Sequence, residues 1–186
     1  IRTLFLVCTV VLMGGLLVLL FRPYVANRFA AYGHVWEYFD TSGYQQTRTM
    51  IYSASGGLFG VGLGNGKLRN IFAATEDLVF GVVCEEFGMI MAGAILLSYV
   101  ALLVYSIRHS KYARSSFYAI AACAAAALML FQAALNVFGV NDILPMTGVT
   151  LPFISRGGSS VIACWLLLAF IKAVDRSTYR FGGVRQ

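Results

Sequence analysis

Three carboxylates, Asp77, Glu85 and Glu86, stand at the head of one of the most apolar stretches of this chain. If that stretch is a helix, the two glutamates lie roughly 12–14 Å beyond the aspartate. At that depth each would cost on the order of 2.5–3.5 kcal/mol facing lipid, so such charges normally face a wet cavity or a bundle interior and have partners. Around a helix Glu85 is about 80° from Asp77 and Glu86 is about opposite. The expectation is therefore Asp77 and Glu85 on a cavity side, with Glu86 paired elsewhere. A purely structural alternative stays open. Thr75-Glu76-Asp77 has the form of a helix start, with Thr75 as N-cap and acids in the first turn, where the helix dipole favours them.

A second concentration of chemistry runs from Asn136 to Ser160, NVFGVNDILPMTGVTLPFISRGGSS. Thr147, Thr150, Ser155, Ser159 and Ser160 alternate there with Leu144, Leu151, Phe153 and Ile154, and Arg156 adds a cation. That mixture implies a folded, partly buried loop that lines something. Just before it, Gln132 and Asn136 sit four apart and share a helix face. Amides in such a place either bond a neighbouring helix or contact a ligand.

Between Ser53 and Lys67 lies a glycine cluster, SASGGLFGVGLGNGK. A phosphate-binding loop of the Walker type needs Gly where Val61 stands and Ser or Thr where Leu68 stands, and no GxGxxG register fits. The glycines then serve tight turns and close backbone approach, or their exposed amides, with Lys67 and Arg69, hold an anionic headgroup.

These groups need elements to carry them. With 59% hydrophobic and 12% charged residues, the chain is far more apolar than a soluble domain, and an all-α integral membrane protein is expected. Four stretches are long enough for membrane spans: 3–21, 78–107, 115–138 and 160–175. The last is short and is expected to borrow residues from the GGSS turn before it.

Arg108, Lys111 and Arg114 crowd the short loop 108–114, and Lys172, Arg176, Arg180 and Arg185 crowd the end of the last span and the tail 176–186. Both are cytoplasmic by the positive-inside rule. Residues 22–77 and 139–159 then share the outer face, the second as an extracellular or re-entrant loop. The first outer loop is nearly balanced in charge, with five Lys or Arg against four Asp or Glu. The net charge of +6 is thus mainly a topology signal, and no nucleic-acid partner is expected.

At 56 residues the first outer loop is far longer than an ordinary connection. Trp36, Tyr38, Phe39, Tyr44, Tyr52, Leu58 and Phe59 make it a packed cap, with Met50 to Leu63 in the interface or re-entering. Cys8, Cys84, Cys123 and Cys164 lie in apolar runs without metal or disulfide spacing and act as small hydrophobes. Ile1 opens the chain almost directly into an apolar run, so a fragment of a longer protein is expected.

SGYQ (42–45), GGLFGVGLGNG (56–66), EDLVFGVVCEEFG (76–88), QAALN (132–136) and LPMTGVTLPFISRGGSS (144–160) occur in one order over most of the chain. In that order they resemble the SEDS family, the FtsW, RodA and SpoVE type of bacterial cell-wall proteins. The resemblance implies a ten-helix fold with cytoplasmic ends, the four spans here being similar to its last four. It also implies a peptidoglycan glycosyltransferase that polymerises lipid II in the bacterial plasma membrane, during division, elongation or sporulation, beside a class B penicillin-binding protein.

The family's acidic residue falls on Asp77, as catalytic base or ligand of a divalent cation such as magnesium or manganese. Its glutamate pair falls on Glu85 and Glu86, and its PFxSxGGSS turn on Pro152 to Ser160, with Arg156 where the family usually has Tyr. Substrate contacts are expected from Lys67, Arg69, Glu85, Gln132, Asn136, Ser155, Arg156, Ser159 and Ser160. A lipid II flippase and a non-catalytic scaffold for the penicillin-binding partner are the rival functions, since intramembrane acids and amides suit transport equally.

Overall fold

The computed structural model describes residues 2–21, 31–111, 113 and 115–182. Within them the chain is helical and contains no strand. The helices whose full bounds lie among the described residues are, in chain order, α1 (Arg2–Phe21), α2 (Tyr44–Ser55), α3 (Val79–Ser110), α4 (Ser116–Val140) and α5 (Gly158–Gly182). A single 3₁₀ turn, Leu68–Asn70, lies between α2 and α3. Residues 22–30 of the expected outer loop, Arg114 of the short basic loop and the last four residues of the tail fall outside the described residues.

Two helices, α3 and α4, are long and apolar enough to cross a membrane, and an apolar stretch of α5 spans Gly158–Ala173. As expected, α5 begins inside the GGSS turn, at Gly158. The connection between α3 and α4 is short in sequence, and Ser115 closes the start of α4 by accepting a hydrogen bond from the Phe117 amide at 3.3 Å, the usual service of a serine N-cap.

Helix α3 packs against both α2 and α4, and α4 against α5. Around the start of α3 the core is Val79, Phe80, Val83 and Cys84 of α3 with Ala133 of α4 and Leu151 of the segment after α4. Further along, Ala122, Ala125, Ala126 and Met129 of α4 meet Cys164 and Ile171 of α5. Small alanines let helix axes approach closely, which is how apolar helices associate when lipid supplies no hydrophobic drive.

The apolar run from Val79 to Ser110 is not one straight helix. Gly88 breaks it with φ 82° and ψ 172°, and the glycine-rich segment after α2 crosses the break. The amides of Val61 and Gly62 donate to the carbonyls of Glu85 and Glu86 at 2.9 and 3.1 Å, while Met89 and Ile90 donate to the carbonyls of Gly57 and Leu58 at 3.0 and 3.4 Å. The groups freed by the break are thus satisfied by protein, the condition for irregular backbone at membrane depth.

Such a crossing demands glycine. A Cβ on Gly56 would run into the Cys84 carbonyl, one on Gly60 into the Glu86 carbonyl and one on Gly88 into the Leu58 carbonyl. Gly60, Gly62 and Gly88 also have positive φ, a region that L side chains avoid. Close backbone approach is therefore what the glycine cluster is for. The amides of Val61 and Gly62, within the cluster whose alternative reading was anion binding, are used inside the protein.

Candidate functional site

Helix α3 starts later than its sequence pattern implies. The N-cap position is Leu78, fully buried and without a side-chain cap, so Thr75 does not cap the helix. Residues 73–78 instead form a tight turn in which the Ala73 carbonyl accepts from the Glu76 and Asp77 amides at 3.0 Å each. Ala73 holds a left-handed φ of 60°, a conformation costing of order 1 kcal/mol that persists only where surroundings impose it.

The turn is held by the end of α4 and by the segment 141–157 that follows it. Three successive carbonyls, of Thr75, Glu76 and Asp77, accept in turn from the Arg156 amide at 2.8 Å, the Ser155 hydroxyl at 2.6 Å and the Asn136 side-chain amide at 2.9 Å. The same Asn136 nitrogen donates to the Val149 carbonyl at 2.7 Å, and Ser155 Oγ also accepts from the Leu151 amide at 2.8 Å. Asn136 is 3% exposed and its Oδ1 has no partner. Deeper down, the Tyr99 hydroxyl, on α3 beyond the break, donates to the Pro152 carbonyl at 2.6 Å. The expected cavity-lining loop is thus built into the start and the middle of α3.

Asp77 lies half-buried at the junction of these segments. Arg156 has an exposed side chain above a fixed backbone, and Ser155 is buried with both hydrogen-bonding functions engaged. Ser155 therefore shapes the site and has no hydroxyl to spare for a ligand. Ser160 pairs with Thr150, oxygen to oxygen, at 2.7 Å, and Ser159 is exposed. Gln132, Ser159 and Ser160 line one groove of 680 Å³ between α4 and α5, with Thr150 and Gly148 along its edge. A second, mostly apolar cavity of 550 Å³ lies between α2, α3 and α4, bordered by Met50, Phe80, Cys84, Met89 and Leu96.

The glutamate pair divides differently from the expectation. Glu85, 2% exposed, accepts the Lys67 amide on one oxygen at 2.7 Å and the Leu68 amide on the other at 2.9 Å. Both of its oxygens are spent on backbone, so it faces the glycine-rich segment. Glu86, expected to pair elsewhere, is 6% exposed, and its Oε1 is buried without a partner. Lys67 and Arg69 point outward and are exposed.

Residue types and spacing single out Asn136, Ser155 and Glu85, whose side chains make hydrogen bonds here. Tyr99 was missed, because a tyrosine in an apolar run carries no mark of a distant partner.

Among the described residues no three His, Cys, Asp or Glu side chains converge into a metal cage. Asp77 alone is one carboxylate, and magnesium is a cation that binds through one or two carboxylates and completes its shell with water and substrate phosphate.

Apolar helices, one of them broken, with polar segments tied together at one end, have the character of a membrane protein. The chain belongs to the FtsW/RodA/SpoVE family of cell cycle proteins, which it matches over residues 1–180. It is 36% identical over 138 residues to the peptidoglycan glycosyltransferase RodA of Mycobacterium leprae (strain TN), covering 74% of this chain and 30% of that protein. To the probable peptidoglycan glycosyltransferase FtsW of Buchnera aphidicola subsp. Acyrthosiphon pisum it is 34% identical over 179 residues, 94% of this chain and 45% of that protein. The corresponding FtsW of Coxiella burnetii gives 35% over 176 residues, 90% of this chain and 47% of that protein. The chain spans less than half the length of these relatives.

Proposed function

We propose that this chain contributes one wall of a peptidoglycan glycosyltransferase site that polymerises lipid II, the undecaprenyl-pyrophosphate-linked disaccharide peptide, into glycan strands. The observation that carries the reading is the triple tie of the Thr75, Glu76 and Asp77 carbonyls to Arg156, Ser155 and Asn136. It holds one acid beside a cation-bearing turn, and the relatives named as glycosyltransferases support the chemistry.

In this reading α1, α3, α4 and α5 are four spans resembling the last four of a ten-helix fold. Residues 22–77 and 139–159 face outward, and the basic loop 108–114 and the C-terminus are cytoplasmic. The setting is the bacterial plasma membrane, with a class B penicillin-binding protein as partner. An outer site at membrane level suits a substrate with a sugar head and a polyprenyl tail, and the apolar cavity beside α3 offers room of the right character.

Asp77 takes the proton of the acceptor hydroxyl, whose oxygen attacks the anomeric carbon from the face opposite the leaving group. The anomeric C–O bond breaks, and its electron pair leaves on the lipid pyrophosphate. Lys67, Arg69 and Arg156 neutralise that charge, while Gln132, Ser159 and Ser160 contact headgroup or sugar. If a magnesium or manganese ion takes part, Asp77 is its protein ligand and its chemistry is charge neutralisation at the pyrophosphate.

In the full-length protein, Asp77→Asn is expected to reduce lipid II polymerisation by about 10²–10⁴-fold without altering its melting temperature. A folded variant working at the wild-type rate refutes the assignment. A cation role is tested separately, by chelator and by restoration with magnesium or manganese.

The broken α3 favours one second reading, since interrupted helices are common in transporters. Reconstituted protein that moves labelled lipid II between leaflets and makes no polymer establishes that reading instead.

A further inference from the structure

We infer that Glu85 is a positioning residue: its buried carboxylate fixes the turn that presents Lys67 and Arg69 to the pyrophosphate. This rests on the reading of those two cations given above.

The turn from Lys67 to Asn70 is closed by the Asn70 amide on the Lys67 carbonyl at 3.2 Å and the Ile71 amide on the Leu68 carbonyl at 2.9 Å. Its first amides, of Lys67 and Leu68, point the other way and have no acceptor within the turn, as at any helix start. Glu85 supplies one oxygen to each, at 2.7 and 2.9 Å. Charge-assisted bonds of this kind are about twice as strong as neutral ones.

At about 120° per residue in a 3₁₀ turn, Leu68 points inward and the residues on either side of it splay outward. Leu68 is fully buried, and its Cδ2 lies 2.9 Å from where a Cβ on Gly81 would stand. One carboxylate and one leucine therefore hold the inner side of the turn, leaving the outer side to Lys67 and Arg69.

The anchor also sets a distance. Asp77 lies just outside α3, before its N-cap Leu78, and Glu85 lies about two turns into it. The first turns of α3 thus set the separation between the acid before the helix and the cationic turn that Glu85 holds. Glu85→Gln keeps one acceptor but turns its NH₂ toward an amide N–H. A direct ligand role for Glu85 conflicts with its burial and with the occupation of both its oxygens.

The test is a mutant cycle in the full-length protein with lipid II as substrate. Glu85→Gln is expected to lower kcat about 10- to 100-fold, through loss of a charge-assisted hydrogen bond, with KM within about threefold. The Lys67→Ala/Arg69→Ala pair is expected to lower kcat by a similar factor. If Glu85 acts through these cations, the triple variant is no slower than the pair.

Losses that multiply in the triple variant overturn the inference, since damage unrelated to the cations slows both backgrounds alike. A Lys67→Ala/Arg69→Ala pair working at the wild-type rate removes the pyrophosphate assignment and this inference with it, whereas loss of activity in Asp77→Asn still upholds the glycosyltransferase reading. Thermal melting accompanies each variant. If Glu85→Gln does not fold, Glu85→Asp, which keeps the charge one methylene further back, goes through the same cycle with the same criteria.

Discussion

Two segments meet at the head of α3, and they are held there by opposite means. The first, Gly56 to Asn70, is fixed mainly through its backbone: its amides and carbonyls span the Gly88 break, its Lys67 and Leu68 amides end on Glu85, and its cationic side chains are left outside. The second, Asn141 to Gly157, is reached mainly through side chains: its Ser155 bonds the Glu76 carbonyl, and Asn136 of α4 links the carbonyls of Asp77 and Val149. The lesson concerns where sequence information resides. In the first segment the essential feature is often a missing side chain, whereas in the second it is a particular polar group.

The largest effect that sharpens this contrast is at the break. Gly88→Ala places a Cβ against the Leu58 carbonyl at a positive φ and is expected to cost more than about 3 kcal/mol or to prevent folding. Gly93→Ala, five residues along the same helix, meets nothing within 4 Å and is expected to be neutral or to stabilise by up to about 1 kcal/mol. Thermal unfolding in detergent measures both, and equal effects would dissolve the distinction.

Next comes Asn136→Ala, which leaves the carbonyls of Asp77 and Val149 without their donor. About 1–3 kcal/mol of destabilisation is expected, together with loss of polymerisation, because two half-buried acceptors lose a partner. Ser155→Ala removes the link between the Leu151 amide and the Glu76 carbonyl and is expected to cost about 1–2 kcal/mol, read as a lower melting temperature. The smallest effect is at Ser159→Ala, where exposure predicts a stability change within about 0.5 kcal/mol. A loss at Ser159 as large as that at Ser155 would break the comparison.

Much of this was legible in the residues. Apolar length marked the stretches that became α1, α3, α4 and α5, and failed motif spacing directed the glycine cluster toward close packing. The motifs together pointed to the family.

The rest depended on contacts distant in sequence. Gly88 sits in an apolar run where a glycine is ordinarily tolerated within a helix, and only a segment some 30 residues earlier explains why it must break. Thr75 carried the pattern of a cap, but its carbonyl is bound to residue 156 and the helix begins beyond it. Glu85 was recognisably in need of a partner. That the partner would be two backbone amides has no sequence signature, since every residue but proline carries one.

The three tied carbonyls of Thr75, Glu76 and Asp77 also set an order of events during synthesis. A ribosome delivers residues 75–77 well before Asn136, Ser155 and Arg156, so α3 can enter the membrane while the turn before it still lacks those donors. The glycine segment that seals the Gly88 break is already made by then, and the break can close early. The acid acquires its fixed position last, after α4 has turned back and the second segment has arrived. A chain stalled or cut before residue 156 would therefore carry a sealed α3 and an unfinished site.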